Sequence, residues 1–168
     1  MSEIPIDYCD QADELEKNPD AKKWMVAAAN GDASAYDFLW RFWCFAHCYD
    51  DLLDKGKPVS MDMGVREFVN FFRMISFNPF YQKHKEQLYA LIIQVCTRWL
   101  DGDEWENSED QIKRIVSHVV RCGDIDLYMH VAYLTGGWDH MRKLKGLRQY
   151  DSNGVEQKAL NMMKSKGA

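Results

Sequence analysis

Apolar residues along this chain recur at spacings of three and four, and strictly alternating apolar and polar runs are almost absent. That periodicity marks amphipathic helices rather than half-buried strands. It predicts an all-α protein, a single-domain helical bundle. Turn residues divide the pattern. Asn18-Pro19-Asp20 opens a first helix that runs to Ala29 and stops at Asn30-Gly31. Asp32 or Ser34 caps a long second helix that ends near Lys55-Gly56-Lys57-Pro58. Ser60 caps a third, Asp62 to Ile75, which Asn78-Pro79 terminates. A fourth runs from Phe80 to Leu100, with an extension to Glu106. A fifth starts near Ser108 and reaches Thr135-Gly136-Gly137, with a break or kink at Gly123. Trp138 to Leu147 forms a short sixth. These boundaries divide the chain into an N-terminal arm (1–20), a helical domain (21–150) and a polar, Lys-rich, frayed tail (151–168).

The second helix is apolar almost all round, which predicts a central, buried position. At about 100° per residue, Tyr36, Trp40, Trp43, His47, Asp50, Asp51 and Asp54 share one arc. Its last two turns therefore carry carboxylates on the side that the aromatic residues bury. Acids at a helix C-terminus are disfavoured by the helix dipole, and burying an unpaired carboxylate costs several kcal/mol. Cations, water or protein donors must offset that cost, and a divalent metal does so efficiently because hard Mg²⁺ prefers oxygen ligands. The plainer alternative is a fraying, solvated helix end. His47 reads either as a hydrogen-bonded core histidine or as a phosphate contact one turn before Asp51.

Helix four repeats the design. Leu88, Ile92, Val95, Trp99, Asp103 and Glu106 share an arc if the helix continues through Gly102. Two such helices can bring their acidic ends together over a pocket of Trp40, Trp43 and Trp99; alternatively, 101–110 is an acidic loop. Arg121 and Asp126 flank the core face of helix five, and a kink at Gly123 can turn either toward the pocket. A guanidinium binds phosphate in a bidentate way, which makes Arg121 the candidate anion-binding cation. Asp124 reads as a cap for the second half of that helix.

Composition narrows the classes. The 168 residues are 46% hydrophobic and 28% charged, with 13% aromatic side chains, a mix that builds a folded core and not a disordered chain. Acids outnumber bases 26 to 21, which argues against a nucleic-acid grip despite Lys55, Lys57 and the basic tail. Five widely spaced cysteines predict thiols in a reducing cytoplasm. No signal-peptide pattern or membrane-length apolar run is expected.

Asp50-Asp51-Leu52-Leu53-Asp54 resembles the DDxxD motif of class I terpenoid synthases. In that family the motif ends a cavity-lining helix, and its aspartates bind Mg²⁺ that holds the substrate diphosphate. The chain is far shorter than a complete terpenoid synthase. It has neither a second DDxxD nor the N-D-x-x-S-x-x-x-E pattern. A broader likeness is to small phage-encoded helical proteins of unassigned activity, described as terpenoid-synthase-like. It runs through His47 to Asp54, the basic turn Lys55 to Ser60, Asn78-Pro79-Phe80-Tyr81, Trp99 with Glu106, Val120-Arg121, Asp126-Leu127 and Gly136-Gly137.

The resemblance implies a terpenoid-synthase-like domain. Asp50, Asp51, Asp54 and Glu106 would hold Mg²⁺ or Mn²⁺, His47 and Arg121 would contact phosphate, and Asp103 and Asp126 would be supporting or alternative ligands. The expected partner is a small molecule carrying phosphate or diphosphate, and the expected chemistry is metal-assisted transfer, elimination or hydrolysis. The alternative is a non-catalytic phage accessory protein that keeps the fold and binds a host or phage protein. A homodimer is compatible with either reading.

Overall fold

The computed structural model describes residues 19–53 and 60–144. Six helices make up this part of the chain: α1 (Pro19–Ala29), α2 (Ala33–Leu53), α3 (Met61–Phe77), α4 (Pro79–Glu106), α5 (Gln111–Arg121) and α6 (Asp124–Lys143). No strand occurs among the described residues, so the all-α expectation holds. The arm, apart from its last two residues, and the tail lie outside the described residues, as does Asp54.

Local chemistry sets the boundaries. The Asp32 carboxylate accepts from the Ser34 and Ala35 backbone N–H groups at 2.8 and 3.1 Å and caps α2. Those bonds and the one from the Ser34 hydroxyl hold its pKa below the ordinary value, the hydroxyl contributing most. Ser60 caps α3 by accepting from Met63 N–H at 3.2 Å. Asn78 joins α3 to α4 and uses all of its polar atoms. Its Oδ1 accepts from Tyr81 N–H at 2.9 Å, while its Nδ2 donates to Ser34 O and Asp37 Oδ2 at 2.9 and 3.0 Å. Because an unpaired buried polar group is costly, this buried asparagine ties the α3–α4 corner to the start of α2.

Helix α2 is central, as its composition predicts, packing against α1, α3, α4 and α6. Phe38, Leu39 and Phe42 are fully buried, and each contributes about 1.5–3 kcal/mol of burial. Phe38 stacks on Phe42 and Tyr81, and Phe45 stacks on Phe71 of α3. Among the cysteines, Cys48, Cys96 and Cys122 are free thiols. Cys44 is disulfide-bonded, which corrects the expectation of five thiols. No described helix is long and apolar enough to cross a membrane.

Both predicted glycine breaks are present. The fifth helix breaks at Gly123 and becomes two helices, α5 and α6. Within α6, Gly137 at φ +73° and ψ −171° is non-helical, so Gly136-Gly137 kinks the helix where an end is expected, and the helical segment beyond it runs to Lys143. Gly136 makes room for the His140 side chain, whose Cβ, Cγ and Cδ2 would lie 2.5 to 2.8 Å from a Cβ there. His140 Nε2 then reaches Ala27 O at 3.0 Å, and the Thr135 hydroxyl donates to Ala28 O at 2.8 Å. The orphan carbonyls at the end of α1 are satisfied in this way, which fixes α1 on α6.

Candidate functional site

Helices α4 and α5 form an antiparallel pair through a reciprocal exchange of arginines over glycines. Arg121 of α5 crosses α4 at Gly102, where any Cβ would overlap its Cγ. Arg98 of α4 crosses the α5–α6 junction at Gly123, with side-chain atoms 3.3 to 3.5 Å from where a Cβ would be. A glycine inside a helix costs about 1 kcal/mol relative to alanine. At Gly102 that cost is offset by the passage it leaves for Arg121.

Each arginine meets carboxylates. Arg98 donates to Val120 O at 3.0 Å, to Val119 O at 3.2 Å and to Asp126 at 2.7 Å. It thereby caps the C-terminus of α5 and ties it to the start of α6. Arg121 pairs with Asp103 and, at 3.0 Å, with Glu106. The Arg121 Nε is buried and has no hydrogen-bond acceptor among the described residues.

Arg121 also lines a cavity of about 270 Å³ enclosed by α2, α4, the α5–α6 junction and α6. Phe42, Trp43, Trp99 and Tyr128 make its aromatic wall. His47, Asp50, Arg121 and Asp124 supply its charged and polar groups. The volume is just below the roughly 300–1,000 Å³ usual for drug-sized ligands, which suits a small one. His47 is held by a 3.0 Å contact between its Nδ1 and Trp43 O, with its ring against the Trp43 indole at 3.8 Å between centroids. A carbonyl only accepts, so Nδ1 carries the hydrogen, and Nε2 is the acceptor whenever the ring is uncharged.

Burial pushes the Asp124 carboxyl above its ordinary pKa. Bonds from backbone N–H groups and the nearby His47 partly counter that rise, and Asp126 adds to it. Burial, reinforced by Asp124, raises the Tyr128 phenol well above its usual value. Burial also lifts the Cys122 thiol to about 11, Asp124 again adding. Cys122 is therefore a protonated thiol near neutrality and not a nucleophile.

The predicted residues sort into three groups. Trp43, His47, Asp50, Trp99 and Arg121 line the one cavity. Trp40 lies behind it, stacked on Trp43 at 5.4 Å, and the half-buried Asp51 sits near Cys48, whose thiol pKa is raised by burial, with Glu67 and then Asp51 adding. Asp103 and Glu106 converge on Arg121, and Asp126 on Arg98. The acidic end of α4 thus serves an arginine of α5. No group of three or more His, Cys, Asp or Glu side chains arranged to hold a metal occurs among the described residues. Asp124, Tyr128 and Gly102 were not singled out as site residues. Asp124 carried only a helix-cap signal, and Gly102 looked like loop punctuation. No protein-family model matches the sequence, and comparison with curated proteins and with solved structures gives no match.

Proposed function

We propose that this cavity binds a small phosphorylated molecule, with the aromatic wall against its apolar or ring portion and the polar groups around its phosphate. One observation supports this most. Arg121 lines the cavity, and its Nε is a buried donor without an acceptor among the described residues. Such a group carries a desolvation penalty of about 1–3 kcal/mol, which an anionic oxygen would relieve.

The electrostatics favour a phosphate that arrives with a cation. Arg121 already faces Asp103 and Glu106, and Asp50 and Asp124 are also on the cavity. A bare phosphate would meet these carboxylates, whereas Mg²⁺ or Mn²⁺ bound by Asp50 and the phosphate together would offset them. Mg²⁺ commonly uses one or two carboxylates plus substrate oxygens, so a three-ligand protein cluster is not required. When bound, the metal would neutralise a phosphate or diphosphate leaving group. His47, with Nε2 as acceptor, would orient or deprotonate an attacking hydroxyl or water. The resemblance to terpenoid synthases supports the same division between aromatic wall and acidic helix end.

The alternative, a non-catalytic protein that binds a macromolecular partner, gains support from the apolar outer face of α3. Calorimetry separates the two readings. Titrations with Mn²⁺ alone, pyrophosphate alone and both together should show pyrophosphate binding that needs Mn²⁺. Asp50→Asn should abolish the metal-dependent part. A wild-type protein that binds neither probe would overturn the phosphate reading.

A further inference from the structure

Helix α3 is attached to the bundle by one side only. Phe71 stacks on Phe45 at 4.1 Å, and Glu67 and Met74 are buried. On the other side Met61, Val65, Phe68, Val69 and Phe72 are 49 to 83% exposed. Their spacing of four, three, one and three residues makes a continuous stripe along nearly the whole helix. Scattered exposed apolar residues are ordinary, but a contiguous stripe of this kind marks an interaction surface.

The stripe contains both halves of a helix–helix joint. Phe68 and Phe72 pack edge to face at 4.7 Å between ring centroids and form a ridge. N-terminal to the ridge is a groove of about 280 Å³ lined by Met61, Gly64, Val65 and Phe68, with Leu52 of α2 as its far wall. Those four α3 positions are i, i+3, i+4 and i+7, the four residues that form the hole for a side chain of a facing helix. Gly64 deepens the hole, since a Cβ there would have only the Leu52 Cδ1 atom, 3.9 Å away, as a neighbour.

We propose that this face binds a second copy of the chain, α3 against α3 in antiparallel orientation about a two-fold axis near Phe68. Ridge and hole lie on opposite sides of Phe68 on one helix. Antiparallel pairing therefore puts the Phe72 ring of each copy into the Met61–Gly64–Val65–Phe68 hole of the other. Charge agrees with shape. Asp62 and Arg73 stand eleven residues apart, which is about 20° in helical angle at 100° per residue, so both border the same edge of the stripe near opposite ends; within its own helix Asp62 also pairs with Arg66 at 2.7 Å, and a partner's arginine would join that pair. Antiparallel alignment sets Asp62 against the partner's Arg73 twice, whereas a parallel pair would carry the charged edges of the two copies to opposite sides of the seam and form neither contact. A surface complementary to itself in both size and charge specifies an isologous dimer, in contrast to an unrelated protein. The stripe is distinct from the cavity, and the inference does not depend on the phosphate reading.

Sedimentation velocity on the full chain over a wide concentration range tests this. The wild type should show a reversible monomer–dimer equilibrium. Phe72→Glu should weaken it by more than about tenfold, as expected for a central aromatic anchor. Gly64→Leu, which fills the hole from an uncrowded position, should do the same, and circular dichroism should show both variants folded. Asp62→Arg and Arg73→Asp should each weaken the dimer, and the double exchange should restore it. A wild type that stays monomeric overturns the proposal, whether residues 1–18, residues 145–168 or another protein cover the face. A dimer unaffected by both Phe72→Glu and Gly64→Leu also overturns it, as does a charge exchange that fails to restore.

Discussion

Arg98 and Arg121 occupy corresponding places in the α4–α5 pair, yet they are used differently. Each crosses a glycine and each meets carboxylates. Arg98 spends its donors on two helix-terminal carbonyls and Asp126, so it closes the α5–α6 junction. Among the described residues Arg121 pairs with carboxylates alone, borders a cavity and has no acceptor for Nε. The contrast separates a structural arginine from a candidate ligand-binding one by accounting for donors, which residue type and helix position alone do not reveal.

Removing each arginine is the strongest way to break that comparison. Arg98→Ala should destabilise the protein by roughly 2–3 kcal/mol, because it strands the α5 carbonyls and Asp126 together; partial exposure keeps the loss at the lower end of what a buried pair would show. Urea unfolding measures it, and a loss under about 0.5 kcal/mol would show that the junction holds without Arg98. Gly102→Val should cost about 1–3 kcal/mol by overpacking and also weaken pyrophosphate binding, since Arg121 must leave its path. A variant with wild-type stability would mean that the two helices can separate freely there.

Arg121→Ala should change stability by less than about 1 kcal/mol, as expected for a partly exposed ion pair. It should nevertheless lower pyrophosphate affinity in the presence of Mn²⁺ by at least about tenfold, the loss of one charge-assisted contact. Unchanged affinity in calorimetry would assign Arg121 the same purely structural role as Arg98.

The smallest effect concerns Asp124. Its folded pKa is raised by burial, so the native state binds a proton more tightly than the unfolded chain. Its contribution to stability is fully present below the ordinary carboxylate pKa and is lost as pH rises through the raised folded value. Asp124→Asn should flatten this part of the stability–pH curve and leave the variant the more stable protein above that window. Parallel curves from chemical denaturation at acidic and neutral pH would show that the carboxyl is adequately solvated after all.

Much of the site was legible in one dimension because a helix converts spacing into direction. Trp43, His47 and Asp50 fall on one arc at spacings of four and three, and the structure puts all three on the cavity. Trp99 was found by the same rule on α4. The partners of Glu106 were not legible. Periodicity gives the face a side chain occupies but not what approaches it: Glu106, expected to share a metal with Asp50 or Asp51, pairs directly with Arg121. Gly102 shows the same gap: nothing in Asp101-Gly102-Asp103 announces that an arginine from the next helix crosses there.

By itself the sequence determined the helices, the central burial of α2 and the aromatic-to-acidic direction of α2 and α4. These follow from propensity, capping and periodicity, which act within a few residues. Only the tertiary structure decided which carboxylates meet which cations, that Asp124 lies half-buried on the cavity and that α3 leaves its apolar outer face exposed. Those outcomes depend on how distant helices dock, and desolvation and pairing are properties of that docking rather than of any one segment.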